Sequence, residues 1–99
     1  METRDEILEF LKTNREFFKQ QFHVIKIGLF GSFARSEQTS KSDIDLIIEM
    51  DADAMDVHRL KNGMREFISN HCNRMVDLAR EKYLRPYSRK QIFKEAIFV

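Results

Sequence analysis

Two aspartates flank a single isoleucine, Asp43-Ile44-Asp45, at the head of an apolar run, and ten residues earlier another apolar run ends in Gly31-Ser32. In a strand, residues two apart project to the same face, so Asp43 and Asp45 aim two carboxylates at one point. Two hard anionic ligands beside a small-residue turn suit Mg²⁺ and the phosphates that Mg²⁺ carries. The pattern asks for a sheet protein with phosphoryl or nucleotidyl chemistry.

The periodicity of the rest of the chain supplies such a sheet. Thr3 and Glu6 form a T-x-x-E capping-box signature, and Ile7, Leu8, Leu11, Phe18 and Phe22 recur at helical spacing, which predicts a helix from Arg4 to Gln21. Val24–Phe30 reads as a strand, with Gly28 marking a close backbone approach. A short helix over Ser32–Glu37 and a polar loop over Gln38–Ser42 follow. Ile44–Met50 is a second strand, with Ile44, Leu46 and Ile48 on one face and Asp43, Asp45 and Ile47 on the other.

Asp51 or Asp53 is placed to cap the next helix, whose stripe is Val57, Leu60, Met64, Phe67 and Ile68, running to about His71. Met75–Ala79 is a third short strand carrying Asp77. Beyond Pro86, Ser88 and Gln91 form a second capping-box pattern, and Ile92, Phe93, Ala96 and Ile97 make the face of a final helix. Helices alternating with strands predict an α/β (α+β) fold, a small mixed β-sheet of three or more strands flanked by helices, with residues 1–99 as a single domain.

Net charge is +1, so the chain does not advertise nucleic-acid binding. The charge is uneven, however. Asp43, Asp45, Glu49, Asp51, Asp53 and Asp56 follow one another with no Lys or Arg between them, whereas Arg80, Lys82, Arg85, Arg89, Lys90 and Lys94 dominate the stretch to Glu95. Such blocks fit a cation site on one side and an anionic ligand or acidic partner on the other; they fit solvated helix faces equally well. The single cysteine, Cys72, forbids an internal disulfide and reads as a small core residue in a reducing, cytoplasmic protein. No run is long enough to span a membrane, and no signal-peptide pattern is visible.

Transferring a nucleotide from ATP requires a cradle for the triphosphate, and backbone N–H groups at a helix start provide one. Gly31 allows close approach and Ser32 adds a hydroxyl. Two divalent ions roughly 4 Å apart would activate the attacking oxygen and stabilise the leaving pyrophosphate. Asp43 and Asp45 supply the first carboxylates. Asp77, an acid in the otherwise apolar Met75–Ala79, is the candidate third, because a lone buried carboxylate is costly and coordination would explain it. Arg35 either reaches a phosphate or pairs with Glu37 or Asp43.

The succession Gly31, Ser32, ten residues, Asp43-x-Asp45, then Asp77 resembles the minimal nucleotidyltransferases of the DNA polymerase β superfamily, over essentially the whole chain. The resemblance implies that the Gly-Ser turn holds the triphosphate of ATP, that Asp43 and Asp45 bind Mg²⁺, and that Asp77 completes the site and helps deprotonate the acceptor. Small stand-alone members resemble the MNT-type antitoxins, which implies a HEPN-domain toxin as partner and AMP transfer to one of its tyrosine hydroxyls. One departure stands out: many relatives carry Gly after the Ala-Arg pair, where this chain has Ser36, a residue less free in backbone angle.

Two other readings stay open. The chain could neutralise its partner by binding alone, or transfer a nucleotide to a small molecule such as an aminoglycoside. Tyr83 and Tyr87 read as boundary packing around Pro86, or as a partner or adenine contact. His23, His58 and His71 lack metal-ligand spacing, and the excess of Phe in the first helix reads as core filling, with Phe10 or Phe17 spare for a partner.

Overall fold

Strand register decides where every acid ends up. The computed structural model describes all 99 residues. In chain order the elements are α1 (Arg4–Thr13), α2 (Arg15–Phe22), β1 (Val24–Phe30), α3 (Gly31–Ala34), β2 (Ile44–Met50), α4 (Val57–Cys72), β3 (Val76–Arg80), a 3-10 turn (Glu81–Tyr83), α5 (Pro86–Glu95) and β4 (Ile97–Phe98). The four strands form one sheet in the order β3-β2-β1-β4. β1 and β2 run antiparallel with Leu29 opposite Leu46 and Phe30 opposite Asp45. β2 and β3 run parallel with Asp45 opposite Asp77. A parallel pair cannot be closed by a tight turn, and α4 is the crossover that joins it.

The core lies between one face of this sheet and the helices. Ile44, Leu46 and Ile48 of β2 and Ile27 and Leu29 of β1 pack with Ile7, Leu11, Phe18, Met64 and Ile68 from α1, α2 and α4, all essentially sealed from water. Cys72 ends α4 as a buried free thiol. On the opposite face Ile47 is buried as well, and Phe98 of β4 lies over Gly28: a Cβ on Gly28 would stand 2.7 Å from that ring and 3.0 Å from Ile47. The absent side chain is what lets β4 close onto β1.

Local chemistry explains where the elements differ from the sequence-based expectation. The first helix is broken rather than continuous. Asn14 leaves helical geometry (φ −100°, ψ 8°), and its side-chain amide donates to the Phe10 carbonyl at 2.9 Å, a competing local bond of the kind that makes Asn a poor helix-interior residue. The Thr3–Glu6 capping box forms as expected.

Neither Asp51 nor Asp53 caps α4. Asp51 instead closes its own turn, accepting the Asp53 N–H on its side chain and the Ala54 N–H on its carbonyl, both at 3.0 Å. The helix then starts from Asp56 in a left-handed conformation, with no side-chain cap.

The last helix begins two residues before the Ser88 pattern. Pro86 takes the first helical position, where a missing N–H costs nothing, so Ser88 and Gln91 fall inside α5 and no capping box forms. Ile97 is not helical either: Ile97 and Phe98 leave α5 to pair with Leu29 and Gly28 as a fourth strand, extended by Val99 N–H on the Ile27 carbonyl at 3.0 Å. The third strand is Val76–Arg80, one residue later than Met75–Ala79, and the helix after the Gly-Ser turn is a single turn, Gly31–Ala34.

Ser36 confirms the concern raised by its identity, since it holds a positive φ of 57° just after that turn. The left-handed region costs a residue with a Cβ about 1–2 kcal/mol, partly offset by the extra unfolded-state freedom of glycine, about 0.5–1 kcal/mol. Ser36→Gly should therefore stabilise the chain by up to about 1 kcal/mol, whereas the β-branched Ser36→Val should destabilise it. Urea titration checks both: the midpoints move in opposite directions at unchanged slope.

Candidate active site

The end of β1 and the starts of β2 and β3 meet at one edge of the core. Phe30, Asp45 and Asp77 lie side by side across three strands, so the chain leaves β1 through Gly31 directly beside the Asp45 carboxylate. Gly31 has a φ of 76°, and a Cβ there would collide with Asp45 Oδ2. Glycine is required twice over, by backbone angle and by space. Asp43 precedes β2 and alternation puts it on the Asp45 side; Asp43 and Asp77 are exposed, while Asp45 is half-buried.

The loop before Asp43 is anchored by Arg74. Its guanidinium donates to the carbonyls of Ser42 (2.8 Å) and Thr39 (3.0 Å), pairs with Glu2 (2.9 Å) and stacks 4.8 Å over the Phe33 ring. Within the loop Thr39 N–H donates to Ser42 Oγ at 2.8 Å, and Ile44 N–H donates to the Met75 carbonyl at 2.9 Å.

Burial, followed by the charges of Asp77 and Asp43, raises the pKa of Asp45 above the ordinary 3.8; Glu95 adds to the rise and Arg35 opposes it. Arg35 bonds Glu95 at 2.9 Å and Glu37 at 3.4 Å, so of the pairings expected for it the one with Glu37 forms and Asp43 is not a partner. Half-buried Lys61 on α4 feels the Asp77 charge, but burial and the neighbouring Arg65 and Arg80 lower its pKa.

Sequence reading named five residues that the fold does bring to this edge: Gly31, Ser32, Asp43, Asp45 and Asp77. It missed Glu95, which donates nothing but accepts the Gly31 N–H at 3.0 Å and the Arg35 guanidinium. A signal for it existed. Glu95 is an acid in the last turn of a helix otherwise charged by Arg89, Lys90 and Lys94, where the helix dipole disfavours it. Tyr83 and Tyr87 are largely exposed rather than packed, and Tyr83 lies beside Arg80 and Lys82.

The donor set fits a divalent cation delivered by a nucleotide. All candidate ligands are carboxylate oxygens, the hard donors that Mg²⁺ prefers, and the raised pKa of Asp45 marks a place where positive charge is wanted. No three of the chain's His, Cys, Asp and Glu side chains are disposed to hold an ion by themselves. Mg²⁺ is bound in just this incomplete way, by one or two carboxylates with phosphates and water filling the remaining positions.

Comparison with known proteins agrees with this geometry. Residues 9–99 match the family described as "Nucleotidyltransferase domain". A Methanocaldococcus jannaschii protein named as a putative protein adenylyltransferase is 35% identical over 100 residues, spanning 100% of both chains. The protein adenylyltransferase MntA of Thermococcus cleftensis is 25% identical over 99 residues, covering 100% of this chain and 98% of its own. Among solved structures, one described as a putative minimal nucleotidyltransferase superposes with a TM-score of 0.72 at 27% identity, covering 91% of this chain and 93% of the other. A tri-AMPylated Shewanella oneidensis HEPN toxin in complex with MNT antitoxin gives a TM-score of 0.58 at 19% identity, covering 96% and 66%, a likeness of fold. The chain belongs to the nucleotidyltransferase domain family. It is an enzyme of that class with the minimal nucleotidyltransferase fold.

Two outcomes follow from the site. Gly31→Ala should cost about 1–2 kcal/mol through the positive φ alone, and should abolish nucleotide binding by displacing Asp45, read by thermal melting and calorimetric titration with ATP and Mg²⁺. Asp45→Asn should stabilise the nucleotide-free chain at pH 7. A carboxyl whose folded pKa is raised keeps its proton when the unfolded one has lost it, so folding is penalised once the pH rises above the unfolded value. The gain over wild type should shrink and vanish as the pH is lowered through 3.8, which melting curves across pH will show.

Proposed function

We propose that this nucleotidyltransferase moves AMP from ATP, carried with Mg²⁺, to a tyrosine hydroxyl of a HEPN-domain toxin, and so acts as the antitoxin of the pair. The observation that carries the reading is the register of β1, β2 and β3, which sets the Gly31 turn against Asp45 and Asp45 beside Asp77.

In this reading Gly31 and Ser32 hold the triphosphate, and Arg35 lies beside them as a positive charge. Asp43, Asp45 and Asp77 would hold two Mg²⁺ ions, which when bound neutralise phosphate charge and lower the pKa of a coordinated oxygen. The tyrosine oxygen bonds to the α-phosphorus as the bond to pyrophosphate breaks, and its proton passes to Asp77, the exposed acid of the three-strand edge. Positioning and charge neutralisation supply the rate.

A protein acceptor suits the shape of the site. Asp43 and Asp77 face solvent, and the surface cavities lie elsewhere, the largest of about 570 Å³ between α2 and α4 beside Phe22, Leu60 and Gly63. A small-molecule acceptor is normally taken up in a concave, largely apolar pocket. The protein acceptor also agrees with the names of the relatives from Methanocaldococcus and Thermococcus, and the HEPN partner with the Shewanella complex. A lone, buried Cys72 agrees with a reducing cytoplasm.

Intact mass spectrometry of a HEPN-domain protein co-expressed with this chain tests the reading. Co-expression with wild type should add AMP-sized increments that peptide mapping places on tyrosine, and the Asp43→Asn, Asp45→Asn double variant should add none. An unmodified partner that still co-purifies and is still neutralised would replace the transferase reading with neutralisation by binding alone.

A further inference from the structure

Glu95, the last residue of α5, touches both ends of the single-turn helix α3. Its Oε1 accepts the Gly31 N–H at 3.0 Å, and its Oε2 accepts Arg35 Nη1 at 2.9 Å. The turn closes on itself through Arg35 N–H to the Gly31 carbonyl at 3.2 Å, and the chain leaves it through Ser36 N–H to the Phe33 carbonyl at 3.1 Å and Glu37 N–H to the Ser32 carbonyl at 2.9 Å, so the Gly31 N–H is left to a partner from outside.

A helix of four residues does not hold its own shape, because nucleation costs more than one turn of hydrogen bonds returns. This turn also has to keep Gly31 at positive φ against the Asp45 carboxylate. Glu95 holds it from outside, with a side chain that is 28% exposed and so partly shielded from competing water. The position is poor for α5 itself, since a negative charge opposes the dipole at a helix C-terminus. What Glu95 gains lies at Gly31 and Arg35, not in its own helix.

We propose that Glu95 is a positioning residue: it clamps the Gly31–Arg35 turn so that Ser32 and the turn's amides meet the triphosphate in the arrangement that transfer requires. The proposal rests on the nucleotidyl-transfer reading above. Its kinetic signature is distinctive. A carboxylate near phosphates repels them, so Glu95 contributes little to nucleotide affinity; order in the turn contributes to rate. Removing it loses order and repulsion together.

The test compares wild type with Glu95→Ala, Glu95→Gln and Glu95→Asp. Amide hydrogen exchange at Gly31 is followed by NMR, together with kcat and KM for ATP with Mg²⁺ in the transfer assay. Glu95→Ala should speed Gly31 exchange about tenfold or more, the worth of one charge-assisted hydrogen bond. It should lower kcat about tenfold, with KM for ATP changed less than about threefold. Glu95→Gln keeps an acceptor for Gly31 and should recover most of the protection and rate. Glu95→Asp keeps the charge but is one methylene too short to span the turn, and should behave like Glu95→Ala. If Glu95→Ala does not fold, Glu95→Asp carries the same expectation, and an unchanged kcat in it overturns the proposal. So does tighter ATP binding at undiminished kcat in any variant, which would make Glu95 a competitor for the phosphate donors. Exchange at Gly31 needs no acceptor. If wild type modifies no tyrosine, the acceptor assignment fails, and unaltered Gly31 exchange in Glu95→Ala or Glu95→Asp is then what overturns the clamp.

Discussion

Like charges held together without an escape route are the constraint on which this structure is arranged. Asp45 cannot move away from Asp77, because both are fixed by parallel backbone pairing, and it cannot tilt toward β1, because Gly31 is already in contact with it. Behind it, Ile44 and Leu46 are locked into a core that admits no water. Burial and repulsion both push Asp45 toward its neutral form, and Arg35 is the one cation that pulls the other way. The scaffold spends packing energy to keep an electrostatic deficit in place, which is the condition under which a bound cation and its phosphates become worth most.

The same geometry separates donor from acceptor. Everything that would grip a triphosphate comes from one contiguous stretch, the end of β1 and α3, while the carboxylates come from the next two strands. Asp43 and Asp77 are exposed at the sheet edge, which leaves that side of the site open to solvent. The acid and base blocks of the sequence do not become separate faces: Glu49 of β2 pairs with Arg80 at 3.1 Å and accepts the Lys82 N–H at 3.2 Å, while Asp43 and Asp51 stand at opposite ends of β2.

Much of this was legible in the chain itself. The runs Val24–Phe30 and Ile44–Met50 coincide with β1 and β2 residue for residue, because β-branched residues and a fixed alternation leave no other reading, and the aspartate pair inherits its position from that alternation. Elements went astray where a competing local bond or a distant partner decides. Asn14 diverts a helix that periodicity alone would continue, and Asp51 spends its carboxylate in a turn instead of a cap. Ile97 and Phe98 follow the helical stripe of Ile92 and Phe93 in sequence, yet the open edge of β1 claims them. Glu95 was half legible for a related reason: its place against the helix dipole marks it as an unusual acid, but its partners, Gly31 and Arg35, lie some sixty residues away and no local pattern names them.

The parallel joining of β2 to β3 through α4 has a kinetic side. Antiparallel β1 and β2 are near neighbours in the chain, but Asp45 and Asp77 are joined only by the long α4 crossover, a non-local closure of the kind that slows folding. Repulsion between them belongs to the folded chain, where strand register holds them side by side. Under the nucleotidyl-transfer reading, a cation bound there would relieve that repulsion and so favour the folded chain over the unfolded one. Filling the site would thus lend the fold stability that no strand or helix contributes by its own packing.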